Sequence, residues 1–176
     1  MAENVEAELQ RRYRSAVGAV TAMFALTALL VVLAFAGVLP HLPSSLYNAT
    51  LYGTLWIIVL FLGLGAIVLR RARFNAVRLE AIASLRGSLG VLITLQRTTV
   101  IVALIGGAIA LLGFLLTLLT NNIMRNATDN MRNAAVIAIA VLFYCYPRRT
   151  AWLRVIAATQ PPDGLAAEPP AKGSTA

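Results

Sequence analysis

Apolar residues in this chain come in long unbroken blocks, and the charges collect between them. Ala16–Leu39 runs 24 residues without a charge, Leu51–Leu69 runs 19 and Thr98–Thr120 runs 23. About 20 apolar residues in a helix cross a hydrocarbon layer of about 30 Å. Inside lipid each backbone N–H and C=O must be satisfied within its own segment, so each block predicts a membrane-spanning helix. Ala134–Tyr146 is shorter, at 13 residues, or about 20 Å of helix. Its flank lengthens it: Ile123, Ala127, Met131, Ala134 and Ala138 repeat at helical spacing. Asn122, Asn126, Asn130 and Asn133 form a second stripe beside them, so the pattern predicts one helix from about Asn122 to Tyr146 with a polar outer end. A tight turn near Asn121 would precede it, a position where asparagine suits a left-handed cap.

The predicted architecture is all-α: a polytopic membrane protein, with a four-helix transmembrane bundle and a helical cytoplasmic extension between spans two and three. The spans are 16–39, 51–69, 98–120 and 134–146 within a transmembrane domain of residues 16–157. A lead-in, residues 1–15, precedes it. The tail, 158–176, carries Pro161-Pro162 and Pro169-Pro170 among Ala and Gly and predicts disorder. Between Arg70 and Arg97 there is no proline, and Phe74, Ala81, Leu85, Leu89 and Leu92 recur near helical spacing. Span two is therefore expected to continue unbroken to about Arg86 and span three to begin near Leu89, around the patch Gly87-Ser88-Leu89-Gly90. Such a hairpin would project about 20 Å from the bilayer and bring Glu80 close to Arg97.

Charge fixes the expected orientation. Thirteen basic residues fall on the N-terminal side of the predicted membrane, among them Arg11, Arg12, Arg14, Arg148, Arg149 and Arg154, and two, Arg125 and Arg132, on the other. By the positive-inside rule both ends lie in the cytoplasm. Trp152, Tyr144 and Tyr146 suit an interfacial belt at the last exit, and Tyr47 and Tyr52 flank the first outer loop. Ala34-Phe35-Ala36 has the form of a signal-cleavage site, but the apolar stretch before it is longer than a signal core and the leader holds Glu3, Glu6 and Glu8. The expectation is an uncleaved first span. The Ala- and Arg-rich style points to a bacterial cytoplasmic membrane.

The chain is 59% hydrophobic and 12% charged, with a net charge of +8. In a soluble protein that surplus would suggest nucleic acid. Here the arginines adjoin apolar blocks, so anionic lipid headgroups are the expected partners. Arg70, Arg71, Arg73, Arg78, Arg86 and Arg97 are the candidate contacts with headgroups or with an acidic partner. Span three carries Ala103, Gly106, Gly107, Ala110 and Gly113, small residues that let helix backbones approach closely. They serve either the bundle itself or docking to a second copy or another membrane protein.

The chemistry is mostly exclusion. No Asp, Glu, Lys, Arg or His lies inside a charge-free block, whereas proton relays and voltage sensors need ionisable groups at depth. His41 is the only histidine and Cys145 the only cysteine, so no catalytic, cofactor or metal set is expected. Asn48-Ala49-Thr50 and Asn126-Ala127-Thr128 match the glycosylation pattern and are read as coincidence. The asparagine stripe is the best site candidate: facing inward it would line an outer vestibule, facing outward it is the wet end of a helix. Arg125 and Asp129 beside it have a favourable i,i+4 spacing. The functional expectation is a non-enzymatic accessory or scaffold subunit, with a small uncoupled channel or facilitator as the alternative.

Overall fold

A computed structural model of the protein describes residues 2–36, 48–121 and 127–159, with side chains left aside at 2–6, 76–80, 86, 88, 156, 158 and 159. Five helices follow in order: α1 (Ala2–Phe35), α2 (Ala49–Arg73), α3 (Ala76–Thr120), α4 (Thr128–Cys145) and α5 (Arg149–Thr159). No strand occurs among the described residues. Three stretches are long and apolar enough to cross a membrane: Ala7–Phe35, Ala49–Arg73 and Leu89–Thr120. A fourth is added if α4 and α5, bent by 47° at their junction, count as one unit. Their outward faces are apolar, as at Leu60, Phe61, Leu104 and Val136, which suits lipid as solvent.

α3 is the central helix and packs against all four others. Half of its most apolar window, 50%, is buried, against 17% for α2, which lies at the periphery. The reason is side-chain size. A Cβ on Gly106 would come within 2.9 Å of Cγ of Leu142 on α4, and one on Gly113 would land on the Cβ of Ala134. One on Gly107 would meet the sulfur of Met23 on α1. Ala103 and Ala110 are fully buried between them. The small residues of α3 therefore serve two neighbours at once. Buried threonines are tolerated because the helix satisfies them: Thr27, Thr99, Thr117 and Thr120 each donate to the carbonyl four residues back, at 2.8 to 3.0 Å.

Asn48 starts α2 by accepting a hydrogen bond from the Thr50 amide at 2.8 Å, so the Asn-Ala-Thr triplet there is a helix cap.

The connection between α2 and α3 departs from the expected hairpin. Span two does not run on to Arg86. It stops at Arg73, where Phe74 caps it through its amide to the Arg70 carbonyl, and Asn75 is extended. Arg70, Arg71 and Arg73 crowd the last turn, where cations suit the helix dipole. A second break follows at Gly87, with φ 64° and ψ −173°, a region that residues with a Cβ rarely adopt. Between the two breaks residues 76–86 form a short helical arm. Ile82 and Ala83 on this arm pack back toward Leu9, Ala16, Val91, Leu92, Leu95 and Trp152. Beyond the break at Gly87, Leu89–Thr120 is long and apolar enough to cross a membrane. The side chain of Glu80 lies outside the described residues, and so does its expected pairing with Arg97.

One further expectation needs revision. Trp152 does not stand in an interfacial belt. It is 2% exposed, packed in that same cluster with its ring edge-on to Tyr13 at 5.8 Å. One continuous helix, α1, carries both the lead-in and the first apolar block. Residues 37–47, with His41 and Tyr47, 122–126, and the tail from 160 on lie outside the described residues.

Candidate functional site

Polar side chains gather at both ends of the bundle. At the end where α2 begins and α3 finishes, the asparagine stripe divides. Asn122 and Asn126 lie outside the described residues. Asn130 points inward and is 5% exposed, whereas Asn133 is exposed. The Tyr52 hydroxyl on α2 donates to Oδ1 of Asn130 at 2.9 Å. Nδ2 of Asn130 donates to Oγ1 of Thr120 on α3 at 2.9 Å, and the Thr120 hydroxyl donates to the Leu116 carbonyl at 2.8 Å. Three helices are thus tied by one chain of hydrogen bonds whose donors and acceptors match. Such a chain is a clasp, because it fastens α2, α3 and α4 together at this end. Asp129 pairs with Arg132 at 3.3 Å, one turn on, and Arg125 lies outside the described residues.

Asn130→Leu is expected to cost about 1–2 kcal/mol, since interhelical hydrogen bonds in membranes are worth about 0.6 kcal/mol on average and up to about 1.7 each. A double-mutant cycle with Thr120→Val, read by denaturation in mixed micelles, checks it. A coupling of zero would show that the two side chains do not meet.

The opposite end carries the arginines. Arg71, Arg73, Arg97, Arg148, Arg149 and Arg154 are exposed, and the side chains of Arg78 and Arg86 are outside the described set. Arg12 is held by Glu8 at 2.6 Å and donates to Oε1 of Gln96 at 2.9 Å, and Gln96 donates in turn to Ser15 at 3.1 Å. This joins the start of α1 to α3. Arg73 and Arg97 line a common cleft of about 450 Å³ with Leu69, Ile82, Ile93 and Ile101.

Arg70 differs from Arg71, Arg73 and Arg97 in being half-buried. Its guanidinium carbon lies 4.4 Å from the ring centre of Tyr144 on α4 and 5.4 Å from that of Phe74. Stacking on ring faces stabilises a cation by about 0.5–2 kcal/mol, but rings are poor hydrogen-bond acceptors. Nη1 of Arg70 is buried with no hydrogen-bond partner. A charged donor left in that state costs about 1–3 kcal/mol or more. It borders a cavity of about 370 Å³ lined also by Thr99, Tyr146, Arg148, Ala151 and Trp152. Arg148 is close enough for the two like charges to oppose one another. The cavity opens where α4 ends and α5 begins. Sequence spacing had grouped Arg70 with its chain neighbours. Its actual companions are Tyr144 in the last turn of α4 and Arg148 in the link between α4 and α5.

Among the described residues no three His, Cys, Asp or Glu side chains come together as a metal set. Cys145 is a buried free thiol that donates to the Leu142 carbonyl at 3.3 Å. No family model matches the chain, and comparison with curated proteins and with solved structures found no match.

Proposed function

We propose that this chain is a four-span protein of a bacterial cytoplasmic membrane, both termini inside, that acts as a non-catalytic accessory or scaffold subunit. The observation that carries the reading is the way α2 is attached. Only Val59, Gly63 and Ala66 of α2 are buried, a narrow seam against the bundle. Trp56, Leu62 and Leu69 are half-buried beside that seam. The opposite face with Ile57, Leu60, Phe61, Leu64 and Val68 is exposed, and Gly65 on that exposed face has nothing within 4 Å of where its Cβ would be. A glycine inside a helix costs about 1 kcal/mol relative to alanine, and here no contact within the chain repays it. A small-residue notch on an outward apolar face fits the close approach of another transmembrane helix. The side facing the bundle supports the same reading: its small residues are filled and its buried asparagine is clasped, so function falls to the outer surfaces. The short arm 76–86 and the arginines around it form the cytoplasmic extension, with anionic headgroups as its partners.

Purification in mild detergent is expected to return a second membrane polypeptide in fixed ratio. Gly65→Leu is expected to lower its recovery about tenfold or more, equivalent to about 1.4 kcal/mol of helix contact, and to leave the melting of the chain itself unchanged. Solute flux through vesicles holding this chain alone, with no companion recovered, would replace the scaffold with the facilitator.

A further inference from the structure

We propose that the cavity at Arg70 binds the phosphate group of an anionic phospholipid. Four observations converge on it. The first is Arg70, which lines the cavity and whose buried Nη1 has no acceptor among the described residues. A phosphate oxygen is the acceptor that a guanidinium fits best, because its planar fork matches phosphate geometry. The second is Arg148, a further positive charge on the same cavity wall with no acidic residue among the lining. An anion between the two arginines turns their mutual repulsion into attraction.

The third is the start of α5. This helix is 11 residues long, and its first turn, with Arg148 and Ala151, borders the cavity. The amides of Ala151 and Trp152 are bonded to the Arg148 carbonyl at 3.0 and 3.2 Å, so what this end offers an anion is the positive end of the helix dipole. The fourth is the remaining wall. Phe143 is 70% exposed and Tyr144 42%, both on the outward side of α4 just below the cavity. A free ion would leave these apolar surfaces unused, whereas a lipid phosphate in the cavity would lay its acyl chains along them. The rings of Tyr144 and Phe74, 4.4 and 5.4 Å from its guanidinium carbon, hold Arg70 at the cavity wall.

The proposal depends on the chain lying in a membrane and not on its having a protein companion, so it is tested on the full-length chain alone. The chain is reconstituted in phosphatidylcholine with a minor share of phosphatidylglycerol, and the lipids that stay bound are counted by native mass spectrometry. Retention of phosphatidylglycerol over phosphatidylcholine is expected to fall about tenfold in Arg70→Gln, the equivalent of one charge-assisted hydrogen bond. Arg73→Gln, which removes an exposed arginine outside the cavity, is expected to leave the preference in place. Arg148→Gln covers the case in which Arg70→Gln does not fold, and a drop of about threefold or more is expected from it. Equal retention of the two lipids, an unchanged preference in Arg70→Gln, or the same loss in Arg73→Gln would each overturn the proposal. Inorganic phosphate that by itself stabilises the chain as much as the lipid does would show a free-anion site and overturn it as well. Failure to recover a companion polypeptide bears only on the scaffold reading.

Discussion

Gly113→Leu is expected to lower the stability of the bundle by about 3 kcal/mol or more, the upper range for overpacking a filled core. A Cβ at this position would fall on the Cβ of Ala134, with the Asn130 carbonyl 3.7 Å away. Both neighbours are backbone or one bond from it, so rotating a side chain cannot relieve the overlap and α3 and α4 must move apart. Lipid tails are as apolar as the side chains, so no hydrophobic gain drives the helices together and close packing carries most of the association. The separation would also stretch the 2.9 Å bond from Asn130 to Thr120, one turn away along α4 and two along α3. Gly107 makes the contrast, since its nearest neighbour is the mobile thioether of Met23. Gly65→Leu is the matched control, with open space around it. Unfolding in mixed micelles across the three variants should rank Gly113→Leu far below the others. Equal stability of Gly113→Leu and Gly65→Leu would mean that α3 and α4 are not in contact there.

Trp152→Ala is expected to remove about 3–5 kcal/mol, the usual loss when a buried large aromatic is truncated. Trp152 anchors α5 against Tyr13, Leu9, Val91, Leu92 and Leu95, outside the charge-free part of the bundle. An 11-residue helix is not stable on its own in water, so the loss should appear as release of α5 before the spans unfold. Hydrogen exchange across residues 149–159 should then quicken about 100-fold or more, and trypsin should cut at Arg149 and Arg154. Amides in Leu89–Thr120 should stay protected. Exchange in α5 that matched the unaltered protein would show that the tryptophan is not its anchor.

The spans were legible because lipid tests each segment by itself. A run of uncharged residues of sufficient length must be helical whatever its neighbours do, so Leu51–Leu69 and Thr98–Thr120 could be read directly. The break after Arg73 was not. Its apolar positions continue through Phe74 and Ala81, and the only signals were three arginines closing a helix and an asparagine after them, weaker marks than Gly or Pro. Asn130 and Asn133 looked like members of one stripe, yet three residues of helix separate them by about 60° around the axis. Asn130 lies in line with Ala134 and Ala138, the small residues that face α3, and so turns inward. Asn133 lies in line with exposed Val136 and Ala140. Joining those two stripes in the sequence would have found the clasp. The surroundings of Arg70 were out of reach, because Tyr144 and Arg148 meet it only once α2 and α4 have packed.

α1 is 34 residues of unbroken helix, about 51 Å from end to end, and a bilayer interior takes up only about 30 Å of that. Its N-terminal third carries Leu9 and Tyr13 into the cluster around Trp152 with no hinge in between. When the surrounding lipid thins, a long helix accommodates by tilting, and this one would swing its N-terminal third as a lever, dragging against α5 and the beginning of the third span. The thickness of the bilayer is thereby coupled mechanically to the protein's basic cap.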